Sequence, residues 1–144
     1  MPSKRETVLG AVNALVADAL PGAEVKRNLA KPERIPPGGL VVIRDGDPGE
    51  PDVTLSPVSY LYTHRIPVEI AAFESATLTR EQVVDEMLGA IGAAIIANRR
   101  LGGLVDWIEA EAPSSEDIET TGSQVGRFAD VMIVATYATA DPLN

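Results

Sequence analysis

Two periodicities organise the chain. Val8, Val12, Leu15, Val16 and Ala19 recur at helical spacing and give the first segment one apolar face. Ser3 followed by Glu6 reads as a capping box before it, and Pro21-Gly22 stops it. A second helical stripe, Val84, Met87, Leu88, Ile91 and Ile95, predicts a helix from about Arg80 to Arg100, opened by the box Thr79 and Gln82. Arg99 and Arg100 then fall in its last turn, where cations suit the helix dipole. Gly89 and Gly92 offer a strip for close backbone approach, and Leu101-Gly102-Gly103-Leu104 is the exit.

Alternation by two marks the strands. Ala23 to Asn28 is a short candidate, and Leu40 to Arg44 is a compact apolar run that reads as buried. Between them residues 29–39, with Pro32, Pro36, Pro37 and Gly38-Gly39, form a loop. Tyr60, Tyr62, His64, Ile66, Val68, Ile70 and Ala72 share one face of a strand from Tyr60 to Phe73, which at full extension reaches about 46 Å. That exceeds the needs of a small sheet, so the strand is expected to start as a projecting hairpin arm and end in the core. Pro67 inside it requires a bulge or a sheet edge. Leu104 to Glu109 and Phe128 to Thr139 read as the last strands, with 45–52 and 110–124 as acidic loops. The expected fold class is α+β, in the order α-β-β-β-α-β-β. It is a mixed or antiparallel sheet of four to five strands, two helices packed on one face and an extended β-hairpin arm. No repeat or linker divides residues 1–144, which are expected to form a single domain.

Composition and charge narrow the function. Without cysteine there is no disulfide or thiolate site, and one histidine excludes a multi-histidine zinc centre. The longest uncharged apolar stretch, Met87 to Ala97, is too short to span a bilayer, and the amphipathic start does not read as a signal peptide. These features fit a soluble domain of intracellular origin. The net charge of −9 is uneven: residues 1–40 carry +2 and residues 41–144 carry −11. Such a field repels phosphate backbones and argues against a DNA-binding face.

Candidate chemistry is sparse. No serine or carboxylate is spaced to act with His64, so a structural role is favoured over a general base. Asp45 to Asp52 lacks the closing glutamate of a calcium loop and is interrupted by prolines. Gly38-Gly39 and Gly102-Gly103 lack the lysine of a phosphate loop. Asp106, Glu109 and Glu111 are neighbours in an acidic chain and carry little catalytic meaning. Trp107 reads as core more readily than as a contact. Arg27, Arg34 and Arg127 read as salt-bridge partners more readily than as interface anchors. No catalytic residue, metal site or cofactor is expected.

The order of elements and several phrases resemble the tail terminator (tail completion, minor tail protein U-like) proteins of long-tailed phages and phage-derived particles. The matching features are the amphipathic first helix, Lys26-Arg27-Asn28 before a proline loop, Leu40 to Arg44 followed by Asp45-Gly46-Asp47, and the Tyr60–Phe73 strand. A helix leading to Leu101-Gly102-Gly103-Leu104-Val105 and a closing Val131–Tyr137 strand with Asp141-Pro142 complete the set. The resemblance covers nearly the whole chain through short motifs. It implies a non-enzymatic structural protein of the virion, made in the host bacterial cytoplasm. Six copies would form a ring on the finished tail tube, stop its polymerisation and join it to the head-tail connector. DNA would pass through the lumen without specific binding, and no membrane is involved.

On that reading Val53, Leu55, Val58, Tyr60, Leu61 and Tyr62 of the arm, with the loop after Ile108, make the ring contact. Asp45, Asp47, Glu50, Asp52, Glu116, Asp117 and Glu119 are candidates for an acidic lumen. Alternatives are another neck or connector protein, a small α+β ligand-binding domain or enzyme, and a regulatory dimer built on an edge strand.

Overall fold

A computed structural model describes residues 2–30, 34–119 and 125–144. The order is α1 (Lys4–Ala19), β1 (Glu24–Arg27), β2 (Leu40–Ile43), β3 (Asp52–Thr54), β4 (Ser59–Ala72), α2 (Arg80–Ala97), a 3-10 turn (Leu101–Gly103), β5 (Trp107–Ala110), β6 (Ser114–Glu119) and β7 (Val125–Thr139). The class is α+β with a mixed sheet. Among the described residues it has seven strands against the expected four to five, because β3 and β6 join it. The sheet runs β1-β2-β4-β7-β5, with β3 added to β4 and β6 added to β7. Among the described strands only the β1–β2 pair is parallel.

The frame is the antiparallel pair β4–β7, in register from Tyr60↔Thr139 to Ala72↔Arg127. Each long strand has an interrupted neighbour. On β4 the chain forms β2, leaves the ladder at Arg44 and returns as β3. On β7 it forms β5, turns at 111–113 and resumes as β6. The expected loop 110–124 therefore contains a strand. Ser-Ser-Glu-Asp-Ile-Glu has no apolar alternation to advertise one, and its pairing is supplied by β7.

One face of the sheet carries both helices. Tyr62, His64, Ile66, Val68 and Ile70 of β4 point into a core shared with Val8, Leu9, Val12 and Val16 of α1 and Val84, Met87, Ile91 and Ile95 of α2. The α1 box is only half formed. The Ser3 hydroxyl accepts from the Glu6 amide at 3.1 Å, but the Glu6 carboxylate turns away to Arg27. The Thr79–Gln82 box closes in both directions. The α2 helix ends at Ala97, before either arginine. A Cβ added at Gly89 or Gly92 would meet nothing within 4 Å, so no backbone is packed against that strip.

On the opposite face the β1–β2 crossover supplies cover. Arg44 donates to the Leu29 carbonyl and, at 2.8 Å, to Glu69. Ile35 reaches the start of β7, where a Cβ on Gly126 would lie 3.0 Å from its side chain. Leu40, Val42 and Ala71 are buried on that face. Pro32 lies outside the described residues.

Pro67 occupies a central strand, not an edge. Its position explains how: the Pro67 carbonyl accepts the last amide of the β2 side, from Arg44 at 2.9 Å, and the neighbour then departs. The missing N–H falls at the last pair of the β2–β4 ladder, where the neighbouring strand departs.

Candidate functional site

The expected arm is a hairpin built into the sheet. Asp52, Val53 and Thr54 pair with Leu61, Tyr60 and Ser59, and β7 pairs with the same part of β4 from its other side. Only the tip, Leu55 to Val58, projects. Its apolar side chains find no core: Leu55 is 78% exposed, Val53 51% and Val58 43%. Tyr60 and Leu61 are half-buried. Tyr62 is buried, its ring centroid 6.0 Å from that of Tyr137, so it belongs to the foundation of the hairpin rather than to its surface.

The acidic candidates separate into two groups at opposite ends of the frame. Asp52 pairs with Leu61 and Glu116 with Phe128, which itself faces Ala71. Ten residues of strand, about 33 Å, lie between them. Within these groups Asp45 and Asp117 are neutralised internally. Arg27 donates to Asp45 at 2.9 Å and to Glu6 at 2.7 Å, holding both carboxyls below their ordinary range. Arg80 and Arg127 each donate to Asp117 at 3.1 Å, with Arg80 the larger influence, and its pKa falls to about 2. These contacts pin the exposed strand β6 to the start of α2 and to β7. Asp47 caps the Gly49 amide at 2.8 Å. Glu50, Asp52 and Glu116 are exposed and form no ion pair among the described residues. The side chain of Glu119 lies outside the described residues.

His64 is fully buried between two partners. Its Nδ1 lies 2.8 Å from the Tyr137 hydroxyl and its Nε2 2.6 Å from the Asp45 carbonyl. The carbonyl can only accept, so Nε2 carries the proton and Nδ1 accepts from tyrosine. Burial lowers the His64 pKa and raises that of Tyr137 to about 12. Neither group has a reactive partner in reach; the pair ties the break in the β2–β3 edge to β7.

Gly46 makes that break possible. Its φ is +65°, and a Cβ there would stand 2.1 Å from the Arg65 carbonyl.

Trp107 is 48% exposed, contrary to the core expectation. The Arg99 guanidinium lies 4.7 Å from its ring centroid and donates to the Ile108 carbonyl at 2.9 Å, while the Ile108 amide donates to the Arg99 carbonyl. Arg99 therefore covers the free edge of β5. Among Asp106, Glu109 and Glu111, the last is paired with Arg65 and the others are exposed. Among the described residues no cluster of histidine and carboxylate side chains is arranged to hold a metal. Among the described residues no helix is long and apolar enough to cross a membrane.

Sequence reasoning found the hairpin but not the strand β6 or the Arg99–Trp107 contact. Those depend on partners distant in sequence. No family model matches the chain, and no curated protein is significantly similar to it.

Proposed function

We propose that the chain is a ring-forming structural subunit of a long-tailed phage or phage-derived particle, acting as a tail terminator. Copies assemble head to tail into a hexamer on the end of the finished tail tube. The ring halts tube growth and presents its other face to the head-tail connector. The role is non-enzymatic and belongs to the neck of the virion.

The observation that carries this reading is the apolar hairpin tip. Val53, Leu55 and Val58 are exposed: Val53 pairs with Tyr60 of β4, Leu55 and Val58 lie in the turn that this strand pair closes, and the core gains nothing from them. Full burial against a neighbour is worth up to about 2 kcal/mol per side chain. A preformed strand support also reduces the ordering cost of association. One patch meeting a different patch on the next copy generates a closed ring when the rotation closes. The family-like order of elements and the acidic surface support the same role.

The test is assembly. Purified chain is added to growing tail tubes, and tube length and end structure are followed by electron microscopy. Tubes of fixed length capped by a six-membered ring are the expected result. Unlimited tube growth, with the chain absent from tube ends, overturns the proposal.

A further inference from the structure

A small pocket of about 130 Å³ lies where the start of α1, the loop after β2, the start of β4 and the end of β7 meet. Two tyrosines and two prolines, Tyr62, Tyr137, Pro48 and Pro142, make most of its lining. Arg5 is the one charged side chain among the residues that line it.

Two donors at this pocket are unused. Arg5 is half-buried, yet it forms no ion pair among the described residues. Its charge is felt at the pocket wall: burial raises the Tyr137 pKa, and Arg5 pulls it back. Tyr62 is only 8% exposed, and its hydroxyl has no hydrogen-bond partner among the described residues. The one side-chain atom there that is both fully enclosed and unpartnered is Asn13 Oδ1, so the Tyr62 hydroxyl keeps an opening, and the pocket is the cavity it borders. The neighbouring groups are already committed. Tyr137 gives its proton to His64, and the Gly49 amide donates to Asp47 Oδ1 at 2.8 Å. The prolines have no N–H to offer.

A guanidinium and a phenol among four rings select for an acceptor with one negative charge on a short apolar stem. A cation is repelled, and a neutral apolar group would leave both donors without partners. A phosphate dianion would find one cation for two charges. We infer that the pocket is a binding site for a carboxylate, which accepts from the Arg5 guanidinium and the Tyr62 hydroxyl while its stem packs against the rings. The carboxylate belongs either to a small free acid or to an aspartate or glutamate of a second copy. The site is complete within one chain and does not depend on the ring reading.

The test is a titration of the whole chain, labelled with ¹⁵N, with sodium propionate while amide shifts are followed by NMR. Sodium chloride holds the ionic strength constant, so general screening cancels. Propionamide, of similar shape without the charge, is the control ligand. Arg5→Gln and Tyr62→Phe each remove one donor, and thermal melts check that both variants stay folded. Sedimentation with and without propionate separates the two sources. If a second copy supplies the carboxylate, the free acid disperses the association; if a small acid is the natural ligand, sedimentation does not change.

Saturable shifts centred on Gly49, Tyr62 and Tyr137 are the expected result, with no response to propionamide. Arg5→Gln should weaken the affinity about tenfold or more and Tyr62→Phe severalfold, as the loss of a hydrogen bond to a charged group requires. Shifts that keep their affinity in Arg5→Gln, that propionamide reproduces, or that centre elsewhere on the chain overturn the site. So does the absence of any saturable shift. None of these outcomes bears on tail assembly, which the tube-capping experiment decides separately.

Discussion

The Nε2 of His64 lies 2.6 Å from the main-chain carbonyl of Asp45, at the point where the β2–β3 edge abandons β4. A side chain from the long strand thus replaces a ladder bond that the backbone no longer supplies. The Tyr137 hydroxyl completes the ring's hydrogen bonding from β7. Replacing His64 with Phe leaves a buried carbonyl and hydroxyl unpartnered, and should cost about 2–4 kcal/mol. Urea denaturation at pH 8 measures it.

The same histidine sets a pH dependence. Its folded pKa lies below the ordinary 6.5, chiefly because of burial. The unfolded chain therefore binds the proton more readily. Its contribution is fully present above about pH 6.5 and is lost as pH falls through the folded value. Asp117 follows the same sign lower down, with its contribution lost as pH falls from 3.8 toward about 2. Denaturation midpoints between pH 8 and pH 5 should decline in the native protein, and the His64→Phe variant should lose that component.

Gly46→Ala should destabilise by several kcal/mol or prevent folding. The new methyl would meet the Arg65 carbonyl at a φ that disfavours side chains. Gly49→Ala is the comparison: its φ is also positive, but a Cβ there meets nothing within 4 Å, so about 1 kcal/mol is expected. Thermal melts of the two variants should differ accordingly.

Leu55→Asp, and deletion of Val53–Pro57, should leave a folded monomer that does not assemble. Leu55 contributes no core packing, so the point variant should keep its stability within about 0.5 kcal/mol. Ring formation by either variant would remove the tip from the interface.

Reversing Glu50, Asp52 and Glu116 to lysine tests the acidic lumen. If these side chains line the channel, the lysines will bind phosphates, and particles will assemble but package or eject DNA poorly, with a defect that eases as salt rises. Normal delivery by an assembled particle ends the lumenal assignment. Asp45 and Asp117 are unsuitable for this test, because their removal would strand Arg27, Arg80 and Arg127.

Legibility in the sequence followed the reach of each interaction. Both helices carry their stripes and start signals locally, and β2, β4 and β7 carry their own β-branched or alternating residues, so these were readable. Strand β6 was not, because Ser114 to Glu119 owes its conformation to β7 and to arginines on two other elements. Glu6 was readable as a capping residue, yet Arg27, twenty-one positions away, took its carboxylate. Trp107 followed the usual aromatic preference for the core until Arg99, closing the edge of β5, gave it a partner outside. At the candidate site the exposed tip was visible as apolar residues among turn formers.

The central placement of β7 has a consequence for synthesis. It is the last strand in chain order, yet β4, β5 and β6 all pair with it. Until it leaves the ribosome, β4 lacks its main partner and both β5 and β6 have none. The nascent chain must therefore hold its apolar strands open late, which favours slow folding and a need for protection in the cell. It also means that a copy interrupted before β7 lacks the strand that braces β4 on the side opposite the hairpin's first strand.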